Sequence, residues 1–326
     1  MHTLTRTFKI LLLLVSCLTS CCPHKYIPCE DPPPPPSFCL PERIRVALVL
    51  GSGGVRGTAH LGVLEELEAA GIPIDLIVGC SAGSIVGALY AERPCCDDIR
   101  SAVWGIRTNN MLDIDLWNCR FGLSQGKSMH WVIDEYLDAE TFDELQIPLV
   151  VVASDLHSGE LVPMGSGDLV KAVQASCSIP FVFVPCEHMG RILVDGGTVN
   201  PVPAKVARDL GAEIIIAVDL CELLEKTFPT NLFTVMTRSA EIAFMWQNES
   251  CCREADVVIR PKTCGVGAFN DKMKWDLYEA GREATRNKME EIQELISTLP
   301  EETCRSCTKM RWVNLPCYTP DIYHSY

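Results

Sequence analysis

The chain has 326 residues, enough for one large α/β domain or two small ones. With 48% hydrophobic and only 21% charged residues, the composition excludes a largely disordered chain. Acidic residues outnumber basic ones 42 to 28, a formal charge of -14, which disfavours binding along a nucleic-acid backbone, and 18 cysteines point to an exporting compartment.

The amino terminus fits export. Arg6 and Lys9 precede the apolar run Ile10 to Val15, and Ser16 to Ser20 lead into Cys21, the layout of a signal peptide too short to span a bilayer. Leu18-Thr19-Ser20-Cys21 resembles the bacterial lipobox. That resemblance implies a lipoprotein-type signal over 1–20, a diacylated Cys21 and a membrane-anchored protein of the bacterial cell envelope; an ordinary signal peptide cut later is the alternative. Loss of Arg6 and Lys9 leaves a still more acidic body, so acyl chains rather than head-group attraction would hold it on a membrane. Residues 21–42, with Pro32 to Pro36 at their centre, read as an extended polyproline tether, or as a ligand for a proline-recognition module.

From residue 43 to the end a single domain is expected. Arg43 to Leu50 reads as a strand, Gly51 to Gly57 as a glycine loop and Ala59 to Ala70 as an amphipathic helix. Ile74 to Val78 reads as a second strand, with an apolar segment from Ile85 to Tyr90, and Leu149 to Ala153 and Ile214 to Val218 as further buried strands. This alternation predicts a mostly parallel sheet with helices on both faces. The part over 222–326 reads as mostly helical, with Lys274 to Leu295 its clearest helix. Trp104, Trp117, Phe121 and Trp131 read either as core or as an acyl-chain channel or lid.

Gly79-Cys80-Ser81-Ala82-Gly83 fits the G-x-S-x-G elbow, in which flanking glycines permit a sharp turn that lifts Ser81 Oγ to the start of a helix; the chemistry it suggests is acyl transfer. Cys80 reads as a small buried filler. The glycine loop fits a dinucleotide fold poorly, because Arg56 stands where that fingerprint has glycine and Asp75 begins the second strand rather than ending it. It fits an oxyanion hole better, with the amides of Gly53 and Gly54 facing the substrate and Arg56 orienting the loop, meeting a lipid phosphate or forming an ion pair.

Serine needs a base. The histidines are His2, His24, His60, His130, His157, His188 and His324, and after Asp195 only His324 follows, which disfavours a Ser-acid-His triad. A carboxylate acting directly is the other solution, with Asp155, Asp195 and Asp219 as candidates at the ends of apolar runs. Asp195 is set apart by the two glycines after it. Cys304, Cys307, Cys317 and His324 form a possible zinc set, although oxidised cysteines suit an exported protein better. The adjacent pairs Cys95-Cys96 and Cys251-Cys252 suggest bridges or crosslinks.

Taken together, Gly51 to Gly57, Gly79 to Gly83, Ala175-Ser176 through Pro180 and Asp195-Gly196-Gly197 resemble the ordered motifs of the patatin-like phospholipase family over residues 43–220. The resemblance implies a patatin-like three-layer sandwich and a dyad of Ser81 as nucleophile with Asp195 as general base and acid. It implies no metal or cofactor, and a phospholipid or lysophospholipid as the acyl-ester substrate. A non-catalytic envelope lipoprotein, and an esterase or transacylase acting on another ester, are the competing readings.

Overall fold

The computed structural model describes residues 32–115, 117, 119–220, 228–263, 265–300 and 309–319. The signal segment, Cys21, Cys304, Cys307 and His324 lie outside the described residues.

The strands are β1 (Phe38–Pro41), β2 (Ile44–Leu50), β3 (Leu76–Cys80), β4 (Leu149–Asp155), β5 (Leu161–Met164), β6 (Cys186–His188), β7 (Arg191–Asp195), β8 (Ala212–Val218), β9 (Val257–Ile259) and β10 (Met310–Val313). The helices are α1 (Thr58–Ala69), α2 (Ala82–Glu92), α3 (Cys96–Gly105), α4 (Lys127–Tyr136), α5 (Leu169–Ser176), α6 (Ala204–Asp209), α7 (Leu232–Cys251), α8 (Lys274–Arg286) and α9 (Met289–Ser297). The main sheet runs β6-β7-β4-β3-β2-β8-β9, with β5 also paired to β4. Strands β4, β3, β2, β8 and β9 are mutually parallel, whereas β5, β6 and β7 join antiparallel.

Period-two alternation divides the core between the two faces of the sheet. Val46, Leu48 and Leu50 of β2 pack with Ile77, Val151 and Ile216 under α1, α2, α3 and α8. Ala47 and Val49 pack with Val78, Val152 and Ile215 against α6 and β1. This is the expected three-layer α/β sandwich, and strands buried on both faces explain the near-continuous apolar runs in the sequence.

Two expectations need correction. The stretch read as a tether is docked from its prolines onward: Pro35 is buried, a side chain at Gly190 would come within 3.4 Å of Pro33, and Phe38 to Pro41 pair antiparallel with Met310 to Val313. The physical reason is the alternation of Phe38 and Leu40, both buried in the second core, with Cys39 and Pro41. The helix read over Lys274 to Leu295 is two helices, because α8 stops at Asn287, whose amide bonds back to Glu283, and a new turn starts at Lys288. The described part of the region after 222 is mostly helical, as expected, with β9 extending the sheet and β10 pairing with β1.

Cys95, Cys96, Cys251 and Cys252 are free thiols, so the adjacent pairs form no bridge. Cys80 is a buried filler, as its position beside the elbow suggested.

Truncating Phe38 to alanine is expected to remove about 3–5 kcal/mol of stability, the usual cost of emptying an aromatic site in a core. Urea denaturation reads this directly. A side chain on a free tether would leave the midpoint unmoved.

Candidate active site

Ser81 ends β3 and starts α2, and the turn between them is forced. Its backbone sits at φ 52°, ψ −121°, a region costly for any residue with a Cβ. Such strain persists only where neighbours hold it. A Cβ on Gly83 would fall 2.0 Å from the Leu50 carbonyl oxygen, so glycine alone lets α2 press onto the end of β2. The Ser81 amide donates to Ser176 Oγ at 2.9 Å, and the Ser84 hydroxyl donates to the Ser81 carbonyl at 2.6 Å.

Asp195 ends β7. Strand β4 lies between β7 and β3, with Ala153 opposite Asp195 and Val152 opposite Cys80. The two side chains meet across that strand: the Ser81 hydroxyl donates to Asp195 Oδ2 at 2.6 Å, while the Gly197 amide donates to Oδ1 at 2.7 Å. Both residues are buried, at 3% and 4% exposure. Burial pushes the Asp195 carboxyl up to about 6, against the opposing pull of the hydrogen bonds from Ser81 and Gly197.

The other two aspartates are committed elsewhere. Asp155 receives Arg191 at 2.6 Å and the amides of His157 and Ser158, and Asp219 receives Arg260 at 3.1 Å. Among the described residues no histidine bonds to Ser81 or Asp195. His60 is fully buried with Nε2 2.9 Å from the Gly51 carbonyl oxygen, and burial drops its pKa to about 4. His130 Nδ1 lies 3.2 Å from Gln174 Oε1.

In the glycine loop the amides of Gly51, Ser52 and Val55 are taken by Val218, Pro201 and Ala268. Among the described residues those of Gly53 and Gly54 have no backbone acceptor. Gly54, at φ 59°, lines the pocket with Ser81; Gly53 sits behind it against Leu220. Arg56 reaches the Leu220 carbonyl at 3.4 Å.

Ser81 opens into a pocket with a cavity volume of about 90 Å³, partly open to solvent. Its apolar walls include Ile85, Val86, Leu89, Met129 and Phe183, with Ala268 to Lys274 contributing from the far end of the chain. The four aromatics considered for this role do not line it. Trp104 stacks on Trp275 with centroids 6.0 Å apart, Trp117 and Trp131 are exposed, and Phe121 lies beneath Arg120. The wall residues were not distinguishable in sequence, because aliphatic positions of α2 and α4 read equally well as core. Cys177 also lines the pocket, 3.6 Å from Ser84 Oγ. Cys317, the described member of the possible zinc set, is half-buried near Arg191, Glu160 and Asp155.

A hydroxyl hydrogen-bonded to a buried carboxylate, at a helix start and beside unengaged amides, is equipped for nucleophilic attack on an ester carbonyl. Residues 48–208 match the family model described as patatin-like phospholipase, and through this domain the chain belongs to that family. It is 37% identical over 196 residues to patatin-like phospholipase domain-containing protein ZK370.4 of Caenorhabditis elegans, covering 58% of this chain and 14% of that one. It is 35% identical over 181 residues to human patatin-like phospholipase domain-containing protein 6, covering 54% and 13%. An uncharacterized NTE family protein of Mycobacterium tuberculosis, MT1093, is 34% identical over 177 residues, covering 54% and 49%. The chain thus spans at most about half the length of these relatives. The crystal structure of VipD from Legionella pneumophila superposes with a TM-score of 0.51 at 14% identity, over 85% of this chain and 69% of that one, a likeness of fold.

The raised Asp195 carboxyl has a thermodynamic consequence. Its folded pKa of about 6 exceeds the unfolded value of roughly 3.9, so its contribution to stability is full below the unfolded value and is lost as pH rises through about 6. Asp195→Asn, which cannot ionise, is expected to be about 2–3 kcal/mol more stable than the parent near neutral pH, with the gap closing toward about pH 4. Urea denaturation of both proteins at the two pH values checks this; a gap that stays constant contradicts it.

Proposed function

We propose that this protein is a lipid acyl-ester hydrolase of the phospholipase A or lysophospholipase type, with Ser81 as nucleophile and Asp195 as its base. The carrying observation is the 2.6 Å hydrogen bond from Ser81 Oγ to a buried carboxylate at the head of an apolar pocket. Membership of the patatin-like phospholipase family supports the reaction class.

In this mechanism the acyl chain lies among Ile85, Leu89 and Met129, which sets the ester carbonyl beside Ser81. Asp195 accepts the Ser81 proton as Oγ attacks the carbonyl carbon. The tetrahedral oxyanion is stabilised by the amides of Gly53 and Gly54 and by the positive end of α2. Asp195 returns the proton to the leaving alcohol oxygen, giving an acyl-Ser81 ester. Water then attacks that ester with Asp195 again as base, releasing fatty acid and restoring the Ser81 hydroxyl. A pKa of about 6 suits this duty: the group is ionised near neutrality yet a stronger base than an ordinary aspartate. Anchoring through a diacylated Cys21 in a bacterial envelope belongs to the same proposal.

Ser81→Ala and Asp195→Asn are each expected to lower fatty-acid release from defined diacyl and lysophospholipids by at least about 10³-fold, the scale of removing a covalent nucleophile or its base. For the parent, kcat/KM should rise with pH through an apparent pKa of about 6 and then level off. Near-parental turnover by the Asp195 variant removes the dyad. Release from non-phospholipid esters alone moves the substrate assignment to an esterase.

A further inference from the structure

Residues 113–115 and 123–125 fold back on one another against the chain that follows α5. The Asp115 amide donates to the Leu123 carbonyl at 3.0 Å, Ile114 bridges to Ser124, and Leu123 and Ser124 donate to the carbonyls of Phe181 and Val182 at 3.3 and 2.8 Å. This ladder fixes which side chains face out. Ile179 and Phe183 line the pocket, while Phe181, between them, is 56% exposed. Phe181 holds φ at 70°, the left-handed region that a bulky residue ordinarily avoids. Its outward display is therefore held against local preference. Ile114 is 60% exposed and Trp117 is 77% exposed on the adjoining strand and turn.

Asp113 accepts from Ser124 Oγ and from the amides of Gly126 and Lys127, and Asp115 accepts from the Trp117 amide. Both acids of the fold-back thus satisfy its own backbone. Arg120 and Lys127 are exposed, and Arg120 lies 5.1 Å above the Phe121 ring. Large apolar side chains displayed to solvent beside an apolar pocket match the acyl boundary of a phospholipid surface.

We propose that Ile114, Trp117 and Phe181 form the face by which this protein docks on a phospholipid bilayer, beside the wall of the pocket that receives the acyl chain. The proposal rests on the reading of the chain as a lipid hydrolase. Continuity with that pocket selects the occupant: a chain leaving the bilayer across this face reaches Phe183 and Ile179 with little exposure to water.

The test uses the full chain carrying Cys21→Ser, so that no acyl anchor contributes, and sedimentation with phosphatidylcholine vesicles. Binding is measured in the additional presence of Ser81→Ala, which separates it from hydrolysis. Trp117→Ala and Phe181→Ala are each expected to weaken vesicle partitioning by about tenfold, the scale of withdrawing one large apolar side chain from lipid. Trp312→Ala, which removes an exposed aromatic on β10 beside the opposite, amino-terminal end of β8, should leave partitioning unchanged. With Ser81 intact, Trp117→Ala should hydrolyse a water-soluble short-chain ester within twofold of the parent while losing about tenfold on vesicles. Unchanged partitioning in both patch variants overturns the docking face, even if fatty acid is released normally. Vesicle binding that depends on the patch, with no fatty acid released by the Ser81-containing protein, sinks the hydrolase reading and leaves the face standing. If Trp117→Ala instead converts a lipid-free dimer to monomer, the patch is a self-association surface and the proposal fails.

Discussion

The approach of α2 to the end of β2 is the constraint on which the site depends. Gly83 touches the Leu50 carbonyl region so closely that no side chain fits, and this contact fixes where α2 begins. The chain must then reverse direction within one residue, and Ser81 takes up the reversal in a disfavoured backbone state. Hydrogen bonds from Ser84 and to Ser176 hold it there. Once the turn is set, Ser81 Oγ points over β4 toward the end of β7. A pair of residues 114 positions apart in sequence then becomes one hydrogen-bonded unit. Free energy released by packing two aliphatic layers against the sheet sustains a turn that would be unstable alone.

Burial serves this unit in a second way. A solvated aspartate would be a weak base, whereas one enclosed by the sheet and the Gly196-Gly197 turn is pushed up to about 6. The same enclosure drives His60 down to about 4, so near neutrality the imidazole is uncharged and holds Gly51 through a neutral hydrogen bond. One low-dielectric region thus keeps a carboxylate reactive while keeping a nearby imidazole silent.

The sheet was legible in the sequence wherever strands are buried on both faces. Runs such as those of β2, β4 and β8 have no other stable disposition, and the glycine-flanked Ser81 and Asp195 mark where those runs turn. The dyad partner needed the motif context, since Asp155 and Asp219 end strands equally well; only the fold reveals that Arg191 and Arg260 occupy them. Short strands escaped for a physical reason. β1, β9 and β10 are three or four residues long, and their pairing depends on partners far away in sequence. The exposed aromatics misled for the opposite reason: a tryptophan signals burial by composition, yet Trp117 and Trp131 lie outside the core. The pocket walls were hidden because a cavity-lining leucine and a core leucine share the same helical spacing.

The pairing of β8 with β2 also separates the stretch matched by the family model from the unit that can fold. The family match ends at residue 208, just before β8, and begins at residue 48, inside β2. β8 is an interior strand, hydrogen-bonded to β2 from Ile44 to Leu50 on one side and to β9 on the other. Cutting the chain at the boundaries of the match would leave the remnant of β2 as a bare edge, its backbone donors and acceptors open to any other chain. The matched stretch and the autonomous domain are therefore different objects. Any fragment meant to stay monomeric must keep β8 and β9, with β1 and β10 to close the second core.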